Sequence, residues 1–189
     1  MLLLAHAGYT VSGGWAAQRL RLKSAVDFRL LVFMALLPDI IDRVLYVFVI
    51  PDAQSGRLIA HTLVFQLALF AVLVMIRRDL WIYGLAAVMH LAFDAQTLSP
   101  EQAFWPLLGW DLANVQIVGG LVEAGQPFWE RVLDRLRHNT DSYADAGLVA
   151  ILLDIGGFAV LTAFVIGARL YERGQLLLLA RRGSILKQR

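Results

Sequence analysis

Four stretches of this chain are apolar for long enough to cross a lipid bilayer, and nothing else in the sequence limits its fold as much. Phe28–Ile50, Leu58–Ile76, Leu80–Leu98 and Gly147–Ala168 run for 23, 19, 19 and 22 residues. A spanning helix needs about 17–25 mostly apolar residues, because the hydrocarbon core is about 30 Å thick. Polar punctuation closes each stretch: Pro51, then Arg77-Arg78-Asp79, then Ser99-Pro100, then Arg169. A fifth stretch, Leu2–Gln18, is shorter and softened by Ser12, Gly13 and Gly14. It lacks the charged start of a secretory leader and is interrupted at His6, so it reads as part of the mature protein that either spans or stops short. Composition points the same way. Of 189 residues, 59% are hydrophobic and 17% charged, whereas soluble domains average about 45–50% and about 25%. So small a chain has too much surface to hide that many apolar groups from water. The expected fold is a single integral membrane domain over residues 1–189, an all-α polytopic bundle of four to five spans.

Other classes fall away. With no cysteine there are no disulfides and no thiolate metal sites. A net charge of +2, without a basic block apart from the membrane-flanking positions, gives no nucleic-acid surface.

The third and fourth clear spans are separated by a long connection, residues 99–146. Within it Pro127–His138 is amphipathic: Phe128, Trp129, Val132, Leu133 and Leu136 share one helical stripe. Together with Trp105 and Trp110 it reads either as an interfacial helix with aromatic anchors or as a helix packed on its own protein. Basic residues set the orientation. Arg19, Arg21 and Lys23, then Arg77 and Arg78, then Arg173, Arg181, Arg182, Lys187 and Arg189 all fall on one side of the weave. The long connection falls on the other side, with seven acidic and three basic residues. The positive-inside rule makes the basic side, and the C-terminus, cytoplasmic.

Polar residues stand where a bilayer disfavours them. Three of the four histidines (His6, His61, His90) and four aspartates (Asp39, Asp42, Asp94, Asp154) sit inside apolar stretches. A charge at the bilayer centre costs about 2.5–3.5 kcal/mol on insertion scales, so such residues are functional candidates. Asp39 and Asp42 are three apart, about 60° around a helix. His90 and Asp94 are four apart, on one face. Imidazoles with carboxylates and no thiolate suit zinc or a similar divalent ion. On the orientation above, His6, Asp39, Asp42, His61, His90 and Asp94 all converge on the outer half of the membrane. A lone membrane histidine usually bridges helices by hydrogen bonding; the shared depth of the set favours a site. Asp154, just before Gly156-Gly157, reads as a helix-packing or supporting group. Arg43 could pair with Asp42 or hold an anionic substrate, and His138 reads as solvated surface.

In their order these residues resemble a bacterial family. His6 before Gly8, Leu37-Pro38-Asp39-Ile40-Ile41-Asp42, Arg57 with His61-Thr62, His90-x-x-x-Asp94 and Trp105-Pro106 are similar to the LexA-binding, inner-membrane-associated metal-dependent hydrolases. The resemblance covers roughly residues 1–110. A fainter similarity in ligand order extends to zinc-dependent phospholipases C. What it implies is metal binding by His6, Asp39, His61, His90 and Asp94, with Asp42 added, in the bacterial inner membrane. The family's extra histidine is replaced here, since Gly56-Arg57-Leu58 precedes Ala60-His61-Thr62; one or two ions are therefore expected.

The expected activity is metal-dependent hydrolysis of an ester or phosphoester, on a lipid or lipid-linked substrate at the outer leaflet. Asp42 or Asp94 would be ligand or general base, and Arg43 or Arg57 would hold a phosphate. Two rivals stand beside it: an ion- or proton-coupled transporter, since intramembrane Asp and His also mark ion paths, and a non-catalytic membrane regulator on a hydrolase scaffold.

Overall fold

The computed structural model describes residues 3–49, 57–94, 100–110, 130 and 148–185. Among them are seven α-helices and no strand: α1 (Leu3–Arg19), α2 (Phe28–Val44), α3 (Leu63–Ile76), α4 (Trp81–Asp94), α5 (Pro100–Ala103), α6 (Leu148–Gly167) and α7 (Arg173–Arg182). A π turn, Leu45–Val49, continues α2, and 3-10 turns at Ile59–His61 and Arg78–Leu80 lead into α3 and α4. Most of the expected connection 99–146, including Pro127–His138 and His138, lies outside the described residues, as do Ile50, residues 95–98, Lys187 and Arg189.

Among the described residues no helix is long and apolar enough to cross a membrane. The helices also differ in extent from the expected stretches. The run 58–76 is not helical from its start: Leu58 to His61 form a turn, and α3 begins at Leu63. Asp42 accepts from the backbone N–H groups there, and Thr62, in extended conformation, caps the start of α3.

Side-chain pairs fix the directions of the long helices. Tyr9 donates to the Leu153 carbonyl at 2.8 Å and Ser12 to that of Val160 at 2.9 Å, while Trp15 packs edge-on to Phe164. Helices α1 and α6 therefore run parallel. Gly14 lies against Leu31 and Phe28, and Gly84 against Phe70 and Leu73, so α1 to α4 alternate up and down. One end of the bundle gathers the basic residues. There Lys23 donates to the Asp79 carbonyl at 2.5 Å. Arg29 grips Asp27 at 2.9 Å and donates to the Ala180 and Arg181 carbonyls that end α7. Asp27 also caps α2 by accepting from the N–H groups of Arg29 and Leu30. Its hydrogen bond from Arg29 holds the Asp27 carboxyl below the usual carboxylate range.

Above this end lies an apolar layer of Val11, Phe28, Leu31, Met34, Ile82, Ala87 and Phe164. Outside it, every long helix past α1 also turns large apolar side chains outward, such as Phe33, Leu67, Met89 and Phe158.

The closest helix contact is made by small residues. A Cβ on Gly8 would meet the Gly157 carbonyl, and one on Gly157 would meet Ala5. Gly13, in contrast, has nothing within 4 Å of the same position. Gly8→Ala is expected to cost about 1–3 kcal/mol by overpacking. Gly13→Ala should stabilise the exposed helix interior by about 1 kcal/mol. Thermal unfolding of the two variants in detergent, followed by circular dichroism, checks the opposite signs.

Candidate metal centre

At the end of the bundle away from the basic residues, one carboxylate builds the frame. Asp42 is fully buried on α2. Its oxygens accept from the N–H groups of Leu58 (2.6 Å), Ala60 (2.8 Å) and His61 (3.2 Å) and lie 2.7 Å from His61 Nδ1. Thr62 closes the turn by donating to the Ile59 carbonyl and accepting from Phe65 N–H at the start of α3. Buried Gln66, one turn into α3, donates from Nε2 to the Ala60 carbonyl at 2.6 Å. A carboxylate that accepts from Nδ1 fixes the tautomer of a neutral His61 so that the Nε2 lone pair is left for a ligand.

That lone pair meets three other donor atoms. His90 Nε2 lies 3.2 Å from His61 Nε2. Asp39 Oδ1 lies 3.4 Å from His61 Nε2 and 3.7 Å from His90 Nε2. Asp94 Oδ2 lies 4.0 Å from each of the two histidine nitrogens. Four donors about 2.0–2.2 Å from a tetrahedral ion stand about 3.3–3.6 Å apart. The separations among His61, His90 and Asp39 lie near that value, so these three could hold a metal ion, with Asp94 farther off. A carboxylate behind a ligating histidine, as Asp42 stands behind His61, is the usual support for such a ligand.

A second group adjoins the first through Asp94. His6, delivered by α1, places Nε2 at 3.1 Å from Asp94 Oδ1 and stacks on His90 with ring centroids 4.4 Å apart. His6, His90 and Asp94 form a further set able to hold an ion. Buried Nδ1 atoms of His6 and His90 have no hydrogen-bond partner among the described residues. On the rim, half-buried Arg57 reaches Asp94 Oδ2 at 3.2 Å, and buried Gln102 of α5 donates to the Arg57 carbonyl.

His6, Asp39, His61, His90 and Asp94 thus come together in one cluster. Asp42 stands behind it with both oxygens engaged, and Arg57 stands at its edge. Arg43 is exposed and forms no ion pair among the described residues. Asp154 lies on α6, near the point where Tyr9 docks. Two supporting residues escaped the sequence reading. Gln66 gave a usable signal, being the one polar side chain in Val64–Ile76; Gln102 gave none.

Asp42→Ala leaves three backbone N–H groups and a ring N–H buried without an acceptor. Each costs about 1–3 kcal/mol, so the variant is expected to melt far below the parent in detergent, whereas Arg43→Ala, at an exposed position, should melt within a degree or two of it.

No curated protein and no solved structure matches the chain. The family described as YdjM inner membrane protein matches it over residues 1–173, a range that takes in the whole cluster and helices α1 to α6. The inner-membrane location implied by the resemblance agrees with that description. The chain belongs to the YdjM inner membrane protein family.

Proposed function

We propose that this chain is a multi-pass inner-membrane hydrolase that uses one or two divalent ions, zinc first among them, on an ester or phosphoester of lipid character. The observation that carries the reading is the pair of adjoining groups, Asp39–His61–His90 and His6–His90–Asp94, each of which could hold a metal ion. Charge supports it. Three carboxylates (Asp39, Asp42, Asp94) gather beside one guanidinium, Arg57. Buried carboxylates are costly without compensating positive charge, and a divalent cation would add to what Arg57 and the histidines supply.

When bound, zinc supplies Lewis acidity and a water nucleophile near neutral pH. The protein's own groups do the rest. Asp42 holds His61 in the tautomer that offers Nε2. Asp94 uses one oxygen toward the His61–His90 pair and the other toward His6. Arg57, on the rim, suits the non-bridging oxygens of a phosphoester, because a guanidinium pairs with phosphate oxygens in fork geometry. Among the three carboxylates Asp39 has the most open side chain, at 38% exposure against 5% for Asp94 and 0% for Asp42. It is therefore the one best placed to exchange a proton with water.

The transporter rival needs polar groups along both halves of the bundle. Below the cluster the buried layer is Leu31, Met34, Ala35, Ile82, Ala86 and Ala87, which favours a site open on one side only. The opposed basic end supports an outward-facing site with a cytoplasmic C-terminus.

Two measurements test this. Metal analysis of the detergent-purified protein is expected to find stoichiometric metal, lost in His90→Ala and Asp94→Ala and kept in His138→Ala. Equal metal in all of them would leave only helix-bridging hydrogen bonds. For topology, cysteines placed one at a time at Ser99 and Ser184 of this cysteine-free chain should be labelled from outside intact cells at 99 and not at 184. The reverse pattern would overturn the outward-facing site.

A further inference from the structure

Next to the cluster, the chain builds a small knob whose chemistry the hydrolase reading leaves unused. After α5, the stretch Ala103–Trp110 folds back on itself. Leu107 N–H donates to the Phe104 carbonyl at 2.7 Å, Gly109 N–H to Pro106 at 3.3 Å, and Trp105 Nε1 to the Trp110 carbonyl at 3.1 Å. Trp105 and Trp110 also meet edge to face. Having satisfied these groups internally, the knob turns its largest side chains away from the protein. Leu107 is 73% exposed and Trp110 81%, with Phe104 and Leu108 beside them. Between Glu101 and Asp111 the sequence carries no charge at all.

Three observations identify the occupant of this surface. The knob stands at the same end of the bundle as exposed Phe48 and Val49 of the α2 extension. It thus continues an apolar exterior that spans α2, α3, α4 and α6, which a single protein partner would not cover. Its tryptophans and lack of charge match the residues that settle at the membrane–water boundary, and the hydrogen bonds within the knob lower the cost of entering that layer. Finally, the knob is tied to the cluster. Buried Gln102 at its base donates to the Arg57 carbonyl, and Arg57 pairs with Asp94.

We infer that Ala103–Trp110 is a lipid anchor which inserts at headgroup level and, through Gln102 and Arg57, holds the His/Asp cluster at that depth, so that the group presented to the cluster is the phosphoester of a bilayer phospholipid. The anchoring stands on the geometry of the knob; the phosphoester clause rests on the hydrolase reading.

The test uses the full chain in phosphatidylethanolamine–phosphatidylglycerol vesicles. Leu107→Cys, the sole thiol, is labelled with an environment-sensitive fluorophore, and nitroxide lipids are added with the spin label at the headgroup or deep in the acyl chain. Blue-shifted emission, quenched more strongly by the shallow nitroxide, is expected. Water-like emission open to iodide, or energy transfer between copies without nitroxide quenching, would overturn the anchor in favour of a solvent-facing or protein-facing knob. The second arm compares hydrolysis of vesicle phospholipid with that of a soluble nitrophenyl phosphodiester. The vesicle-to-soluble ratio should fall tenfold or more in Leu107→Asp, and in the milder Leu107→Ser if the first does not fold. An unchanged ratio would overturn the phospholipid assignment. If the parent hydrolyses neither substrate, the hydrolase reading fails, and the fluorescence arm still decides the anchor.

Discussion

The contact on which the rest of this structure depends is the one between the Asp42 carboxylate and the turn that carries His61. A fully buried carboxylate is tolerable only when its oxygens are satisfied. Here the N–H groups of Leu58, Ala60 and His61 and the His61 ring do this together. The bargain works in both directions. Asp42 gains its partners, and the turn Leu58–His61 is tied to α2. Were α3 to begin at Leu58, those N–H groups would be the unpaired donors of its first turn, and His61 would ride on the helix. As a turn, it swings the imidazole onto α2 and α4 instead.

From that point the cluster is assembled by elements far apart in sequence. Asp39 and Asp42 arrive on α2, His61 on the turn, His90 and Asp94 on α4, and His6 on α1. The His6 position is the most demanding, since α1 reaches the cluster only by lying close against α6. Glycine at 8 and 157 lets the two backbones approach, and the Tyr9 and Ser12 hydroxyls satisfy themselves on α6 carbonyls. Small residues at a close contact and polar side chains bonded across it are also the devices by which helices associate in membranes.

How much of this was legible in the sequence follows from the physics of each part. The all-helical fold was legible, because long apolar runs leave the backbone no partner but itself. The members of the cluster were legible for a related reason: an aspartate or histidine within such a run is conspicuous, and 90 and 94 share a helix face by arithmetic. What Asp42 does was not. Spacing alone puts Asp39 and Asp42 on nearly one face, and only the return of residues 58–61 onto α2 separates them, one toward His61 Nε2 and one behind Nδ1. Nor was Gln102 legible, because its partner is a backbone carbonyl 45 positions away, and carbonyls carry no sequence signature. Helix extents were hidden too, since apolar composition does not distinguish a turn held by a buried acceptor from the helix that follows.

The polarity of the bundle bears on how such a site could work. The buried histidines and aspartates gather at one end, and Lys23, Arg29 and Arg77 with their partners Asp27 and Asp79 at the other, with Leu31, Met34, Ile82 and Ala87 between them. Charge separation of this kind is not needed for helix packing, which the glycine and tyrosine contacts already provide. It has a consequence for electrostatics. The carboxylates are kept from the arginines that would otherwise neutralise them, and only Arg57 among the described side chains approaches. In the low dielectric of an apolar surround, interactions between charges are several times stronger than in water. A cluster of carboxylates and imidazoles in such a place would attract a cation, and the arginine at its rim pairs with Asp94. That attraction is the physical basis for the proposal that the cluster holds an ion rather than serving only as a bridge between helices.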